Sequence, residues 1–198
     1  MNFELRTLAR HLCPRMRDGY SAAYGGMRVK VRLKKIDRGN WREMLALKMR
    51  REQEMFVASP ARALALAYIR PFGGRVVHSV MGVYGGETIV GYLATLSDPT
   101  TVGDYWIDHI MIDHRHQRRG YGRAAMIEAI KFLRRGWPRC KAIRLSCHPA
   151  NRNAARLYLS LGFRKTERVN QTGEPIYELN GEQLHAYTTA PRKRSSVG

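Results

Sequence analysis

Apolar and polar residues alternate through "MRVKVRL" (residues 27–33), and this period of two predicts a strand that opens the folded part of the chain. A helical pattern follows over residues 40–47, with Asn40 placed as its N-cap. The next helix starts at Ser59-Pro60, read as N-cap and first helical residue, and stops at Pro71. Two β-rich runs, 75–84 and 87–96, meet at Gly85-Gly86 and predict a hairpin. "DYWIDHIMI" (104–112) predicts another strand. From Gly122 to about Arg135 the apolar residues Met126, Ala129, Ile130 and Leu133 share one helical face. A strand at 141–147, a helix at 151–161 ended by Gly162, and two strands around Thr172-Gly173 complete the pattern. Strands that meander and then alternate with helices predict a mixed α/β (α+β) fold around one central sheet.

Composition limits the possible functions. The 198 residues fit one domain, expected over 27–185, with a loosely ordered basic extension at 1–26 and a disordered basic tail at 186–198. The chain carries 35 Lys+Arg against 16 Asp+Glu, a net +19. Arg6, Arg10, Arg15 and Arg17 at one end and Arg192, Lys193 and Arg194 at the other account for only part of that excess. The folded part is therefore basic and calls for an anionic partner, either a nucleic acid or a phosphate-rich cofactor. Aromatic residues do not interleave with the basic ones as a stacking platform would, which disfavours nucleic acid. Cys13, Cys140 and Cys147 are odd in number and lack C-x-x-C spacing, so neither a disulfide framework nor a zinc knuckle is expected. No apolar run is long enough to span a bilayer, and a cytoplasmic location without membrane association is expected.

The candidate chemistry begins at "HQRRGYG" (116–122), between the 104–112 strand and the helix after it. Gly120-x-Gly122-x-x-Ala125 satisfies the dinucleotide fingerprint literally. That reading fails because the run from Asp113 to Arg119 separates strand from glycine, and no acid occurs between Ala129 and Thr166 to hold a ribose. A Walker A loop fails for want of Gly-Lys-Ser/Thr. What remains is a turn that brings backbone N–H groups and a helix N-terminus close to an anion, ringed by Arg115, Arg118, Arg119 and Arg123.

The loop and "NRNAARLYLSLGF" (151–163) together resemble the two signatures of the GNAT-type N-acetyltransferases. Gln117, Gly120 and Gly122 match Q/R-x-x-G-x-G/A. Asn151, Ala154, Leu157, Tyr158, Gly162 and Phe163 match N-x-x-A-x-x-L-Y-x-x-x-G-F. Within that family, "EQEMFVA" and "WIDHIMID" are similar to segments of bacterial spermine/spermidine acetyltransferases. The resemblance implies a single domain whose central, mostly antiparallel twisted sheet is flanked by helices and splayed between its fourth and fifth strands. It implies acetyl-CoA as co-substrate, no metal, and a small-molecule amine as acceptor; it leaves a homodimer open.

The resemblance also implies residue roles. Backbone amides of Arg118, Arg119, Gly120, Tyr121, Gly122, Arg123 and Ala124 would grip the pyrophosphate, aided by arginine side chains. The backbone of Ile110, Met111 and Ile112 would run beside the pantetheine arm, and Asn151, otherwise a helix N-cap, would hydrogen-bond it. Tyr158 would donate a proton to the leaving thiolate; on residue type alone it is equally a core tyrosine. Asp108 would serve as base through a bridging water, its side chain being one methylene shorter than the glutamate that similar enzymes can carry. Either burial or a water chain must close the roughly 9 kcal/mol between a free aspartate and an alkylammonium. His148 is the alternative base. Glu52, Glu54 and Phe56 would form the acceptor wall, where local acids can outweigh distant arginines across a Debye length of about 8 Å. His109, His114 and His116 lack metal-site spacing, and Cys147 reads as a core thiol. Protein N-termini, lysines or aminoglycosides remain alternative acceptors, and a ribosome-associated binding module is the alternative class.

Overall fold

The computed structural model describes residues 29–71, 73, 75–98 and 105–187. Seven strands form one sheet in the order β1-β2-β3-β4-β5-β7-β6. The strands are β1 (Arg32–Lys35), β2 (Val77–Gly85), β3 (Thr88–Ser97), β4 (Tyr105–Ile112), β5 (Ala142–Ser146), β6 (Arg164–Val169) and β7 (Pro175–Asn180). The helices are α1 (Trp41–Leu45), α2 (Pro60–Ile69), α3 (Tyr121–Gly136), α4 (Arg152–Ser160) and α5 (Gly181–His185). Every strand pair is antiparallel except β4–β5, which is parallel and joined through α3. This is the mixed, mostly antiparallel sheet that the sequence predicts. Among the described residues no helix is long and apolar enough to cross a membrane.

Each face of the sheet carries its own core. On one face Met126, Ala129, Ile130 and Leu133 of α3 are fully buried against Val83, Leu93, Ile107 and Ile143. On the other face Met44 and Leu47, at α1 and just after it, join Ala63 of α2 over Val80, Tyr92, Ala94 and Met111. Burial of one large aliphatic side chain contributes about 1.5–3 kcal/mol, so the apolar stripe of α3 alone secures it to the sheet.

Several local signals act as written. Ser59 Oγ accepts from the Arg62 N–H over 3.3 Å ahead of Pro60, and Gly162 closes α4 at φ 91°. Others do not. Among the described residues the opening strand begins at Arg32, which faces Tyr84 close to the β2–β3 turn at Gly86, and residues 27 and 28 of the expected strand lie outside the described residues. Val29, upstream of β1, packs beside Gly120. α1 is shorter than 40–47, and Asn40 stands at its N-cap position without a side-chain cap bond. Its Oδ1 accepts from Asp37 N–H (2.9 Å) and its Nδ2 donates to the Lys35 carbonyl (3.0 Å), closing the turn before the helix. α5 and two 3-10 turns, Arg51–Gln53 and His114–His116, are additions to the expected elements. Tyr187, just past α5, donates to the Leu161 carbonyl over 2.7 Å. The expected extension 1–26 and residues 188–198 of the expected tail lie outside the described residues.

Candidate active site

The sheet opens where the loop of interest begins. Among the described residues β4 and β5 pair only at Tyr105–Ile143 and Trp106–Arg144. Beyond Trp106, β4 remains paired with β3 through Ile112, while its β5-facing edge has no strand partner among the described residues. A backbone edge left in this way can pair with an extended ligand. Ile110 and Ile112 pack toward the α3 core, and Met111 is buried in the opposite one.

The chain then leaves β4 through Asp113, a fully buried carboxylate. Its Oδ1 accepts from the Arg115 N–H (3.0 Å) and the Arg115 guanidinium (2.8 Å), and its Oδ2 accepts from the Lys48 N–H (3.0 Å). Burial alone would push the Asp113 carboxyl up, but the Arg115 guanidinium and the two backbone donors outweigh it and hold the group well below the usual carboxylate range. Gln117 Nε2 donates to the Ile112 carbonyl (3.0 Å) and to Gln53 Oε1 (2.8 Å), so the loop is tied both to its own strand and to the segment after α1.

Arg118 (φ 62°) and Gly120 (φ 85°) are left-handed, and α3 starts directly after them with no side-chain cap. The first bond into the helix is Ala124 N–H to the Gly120 carbonyl (3.1 Å). The donors of Tyr121, Gly122 and Arg123 therefore precede the helical ladder and, with the left-handed turns, form an anion-binding concavity. A Cβ at Gly122 would meet only ordinary contacts, 3.7 Å to Leu157 and 3.8 Å to Ile112, so folding does not demand glycine there. The chemistry of this donor set fits a diphosphate. Arg118 and Arg119 are exposed beside it, whereas Arg115 is committed to Asp113 and Arg123 donates to Ser160 Oγ over 2.7 Å. The Tyr121 ring fills the space beside Gly85, and only its backbone serves the loop.

The two predicted catalytic side chains sit on different elements, Tyr158 on α4 and Asp108 on β4. Tyr158 is 7% exposed, with its ring 6.1 Å from Phe163 and 6.2 Å from Tyr177. Burial, and then Cys147 and Tyr177 nearby, push its phenol far above the ordinary value, so it stays protonated. Asn151 caps α4, its Oδ1 accepting from Ala154 N–H over 3.2 Å, which leaves its Nδ2 as a donor. Asp108 occupies an irregularity in the ladder: Ala94 faces His109 and Thr95 faces Ile107, so Asp108 is the extra residue of a β-bulge. Its Oδ2 lies 3.3 Å from His78 Nε2 and 3.4 Å from His109 Nε2.

The segment after α1 reaches across the opening. The Phe56 ring stands 5.3 Å from that of His148, just past β5. Glu52 lies in the 3-10 turn and Glu54 directly follows it; both are exposed, and no contact joins either to Asp108 or Tyr158. The loop histidines scatter, His114 lying 3.5 Å from Asp113 and His116 edge-on to Tyr121. Asp113, Gln53 and His78 are the residues that sequence reasoning misses. Asp113 carries a signal, an acid directly after an apolar strand and two residues before Arg115. His78 carries none, because its partner Asp108 is remote in sequence.

Fold and site together define an acetyltransferase of the GNAT class. The sequence matches the acetyltransferase (GNAT) family model over residues 41–163, and the chain belongs to that family. It is 25% identical over 150 residues to the spermine/spermidine N(1)-acetyltransferase of Bacillus subtilis, covering 74% of this chain and 95% of that one. Its fold is similar to the spermidine N-acetyltransferase of Vibrio cholerae, solved with CoA and spermine (TM-score 0.58, 15% identity, 81% of this chain and 99% of that one). It is also similar to an aminoglycoside acetyltransferase solved with coenzyme A (TM-score 0.62, 14% identity, 81% and 100%).

Proposed function

We propose that this chain moves acetyl from acetyl-CoA to a primary amine of a polyamine such as spermidine or spermine, by direct attack of the amine on the thioester. The observation that carries the reading is the unpaired edge of β4 beyond Trp106, which leads straight into the N–H-lined turn at Arg118–Ala124. An extended arm ending in a diphosphate has the shape and chemistry for both. The Bacillus relative and the spermine-bound Vibrio structure support a polyamine acceptor.

In this reading the amides of Arg118 to Ala124 hold the diphosphate, and the backbone of Ile110, Met111 and Ile112 and the Asn151 amide hold the arm. The thioester carbonyl is then presented in the opening between β4 and β5. Asp108 is the anion beside the acceptor amine, and Tyr158 donates the proton that sulfur needs as the C–S bond breaks. Glu52, Glu54 and Phe56 form the acceptor wall. A reducing, cytoplasmic setting suits Cys140 and Cys147, both buried as free thiols and pushed up to about 11 by burial.

The test is to incubate the full chain with acetyl-CoA and an amine panel while following free CoA thiol. Release driven by spermidine or spermine is the expected result. Release only with peptides or aminoglycosides moves the acceptor to another class.

A further inference from the structure

The bulge in β4 does more than bend a strand. Side chains alternate across a sheet. Ile107 packs into the α3 core, and Ala94, the partner of His109, belongs to the core under α1 and α2. One extra residue between them places Asp108 and His109, neighbours in sequence, on the same α1–α2 face. His78 of β2 arrives on that face from the other side, since Val80, two residues on, lies in the α1–α2 core. The result is one carboxylate oxygen between two imidazoles, at 3.3 and 3.4 Å.

The three groups differ in access. The His78 side chain is 1% exposed, Asp108 22% and His109 20%. His109 presents Nε2 to Asp108, which leaves Nδ1 as its second nitrogen. Tyr92, on the same face, is already committed, its hydroxyl donating to the Ala58 carbonyl. Burial, and then the Asp108 charge, push its phenol up and keep it neutral.

We propose that His109 accepts the proton of the acceptor amine, held and charge-balanced by Asp108, and that His78 is a positioning residue acting through that carboxylate. This rests on the amine-acetylation reading above and changes the group that takes the proton. An imidazole's ordinary pKa lies nearer than a carboxylate's to that of an alkylammonium. Burial holds His109 below its ordinary value, so it is neutral and ready to accept. Asp108 of β4 and Glu174, before β7, favour its cation; His78 of β2 and Arg62 of α2 oppose it.

The step balances. One ammonium N–H bond breaks and a His109 Nδ1–H bond forms. The freed lone pair bonds to the thioester carbon as the C–S bond breaks. Sulfur takes the Tyr158 proton, and the second amine proton replaces it there. The proton on His109 passes to solvent, so the net products are amide, CoA thiol and one released proton.

The test combines turnover with histidine titration of the full chain. His109→Gln should lower kcat with spermidine about 100-fold and erase the acid limb of the pH profile, with acetyl-CoA affinity by calorimetry unchanged. Imidazole should restore part of the activity to His109→Ala. His78→Gln should move the acid limb to higher pH, because a neighbour opposing the cation is gone; a merely structural role would leave the limb in place. Without any substrate, NMR should show His109 titrating at lower pH in Asp108→Asn than in the wild type, by about one pH unit or more. Near-normal turnover with an intact acid limb in His109→Gln, or an unmoved His109 titration in Asp108→Asn, would overturn the proposal. A wild-type chain that binds acetyl-CoA but acetylates no amine sinks the functional reading instead, and the NMR titration still decides the histidine assignment.

Discussion

The Lys48 backbone N–H donates to Asp113 Oδ2 over 3.0 Å, and the His114 N–H returns a bond to the Lys48 carbonyl over 2.9 Å. This reciprocal pair fastens the segment after α1 to the start of the glycine loop. Asp113→Ala removes a fully buried carboxylate and strands two backbone donors, so it should destabilise the protein by about 2–4 kcal/mol. Because folding depresses the Asp113 carboxyl, its contribution is complete above the free-carboxylate value of about 3.9 and drains away only as pH falls further. Urea denaturation across pH 2 to 7 should show a constant gap between wild type and Asp113→Ala above about pH 4 that narrows below it. A constant gap across that range removes the role assigned to the ionised group.

Gly91 sets the spacing between β3 and β4. A Cβ built there falls on the Met111 carbonyl oxygen and lies 2.9 Å from Ile112 Cδ1. Both strands are held by neighbours, so the clash cannot be relieved by a rotamer change. Gly91→Ala should cost about 3 kcal/mol and lower Tm by roughly 6–12 °C. Scanning calorimetry checks this, and an unchanged Tm would mean that β3 and β4 can separate without penalty.

How far the sequence reveals this molecule depends on the range of the interactions. The α3 stripe, the Ser59 cap and the Gly162 stop are local patterns, and each occurs in the structure where the sequence puts it. Residues 29–31 continue the alternation yet lie outside β1, whose start among the described residues, at Arg32, falls close to where the β2–β3 hairpin ends. Asn40 likewise has the right residue type for a cap but is drawn to the preceding turn. The glycine loop was legible as a turn leading into a helix N-terminus, whereas its anchorage through Gln53 and Lys48 was not, since both partners lie far upstream. The bulge at Asp108 is invisible in the sequence because it exists only in the register with β3.

Glu52 and Glu54 offer a test of the acceptor wall that does not touch the chemistry. Both are exposed on the segment that carries Phe56 to His148. If they draw a polycation toward the opening, Glu52→Gln/Glu54→Gln should raise KM for spermidine several-fold and leave kcat nearly unchanged. The effect should shrink as salt rises, because exposed charges are screened over about 8 Å at physiological ionic strength. Equal KM values at low salt would return both residues to an ordinary solvated surface.

Tyr158 tests the other half of the reaction. Its ring is buried against Phe163 and Tyr177, and its phenol is held protonated far beyond physiological pH, first by burial. A donor of this kind is always loaded, so its loss should act on turnover equally at every pH at which the enzyme works. Tyr158→Phe keeps the ring packing and removes only the hydroxyl, so kcat should fall about 100-fold while the affinity for acetyl-CoA is retained. The pH profile should keep its acid limb, which separates this variant from His109→Gln. Because a thiol of low pKa leaves without help, an activated acetyl ester of such a thiol should recover much of the lost rate. Undiminished kcat in Tyr158→Phe would make the residue a core tyrosine and require another proton source for the sulfur.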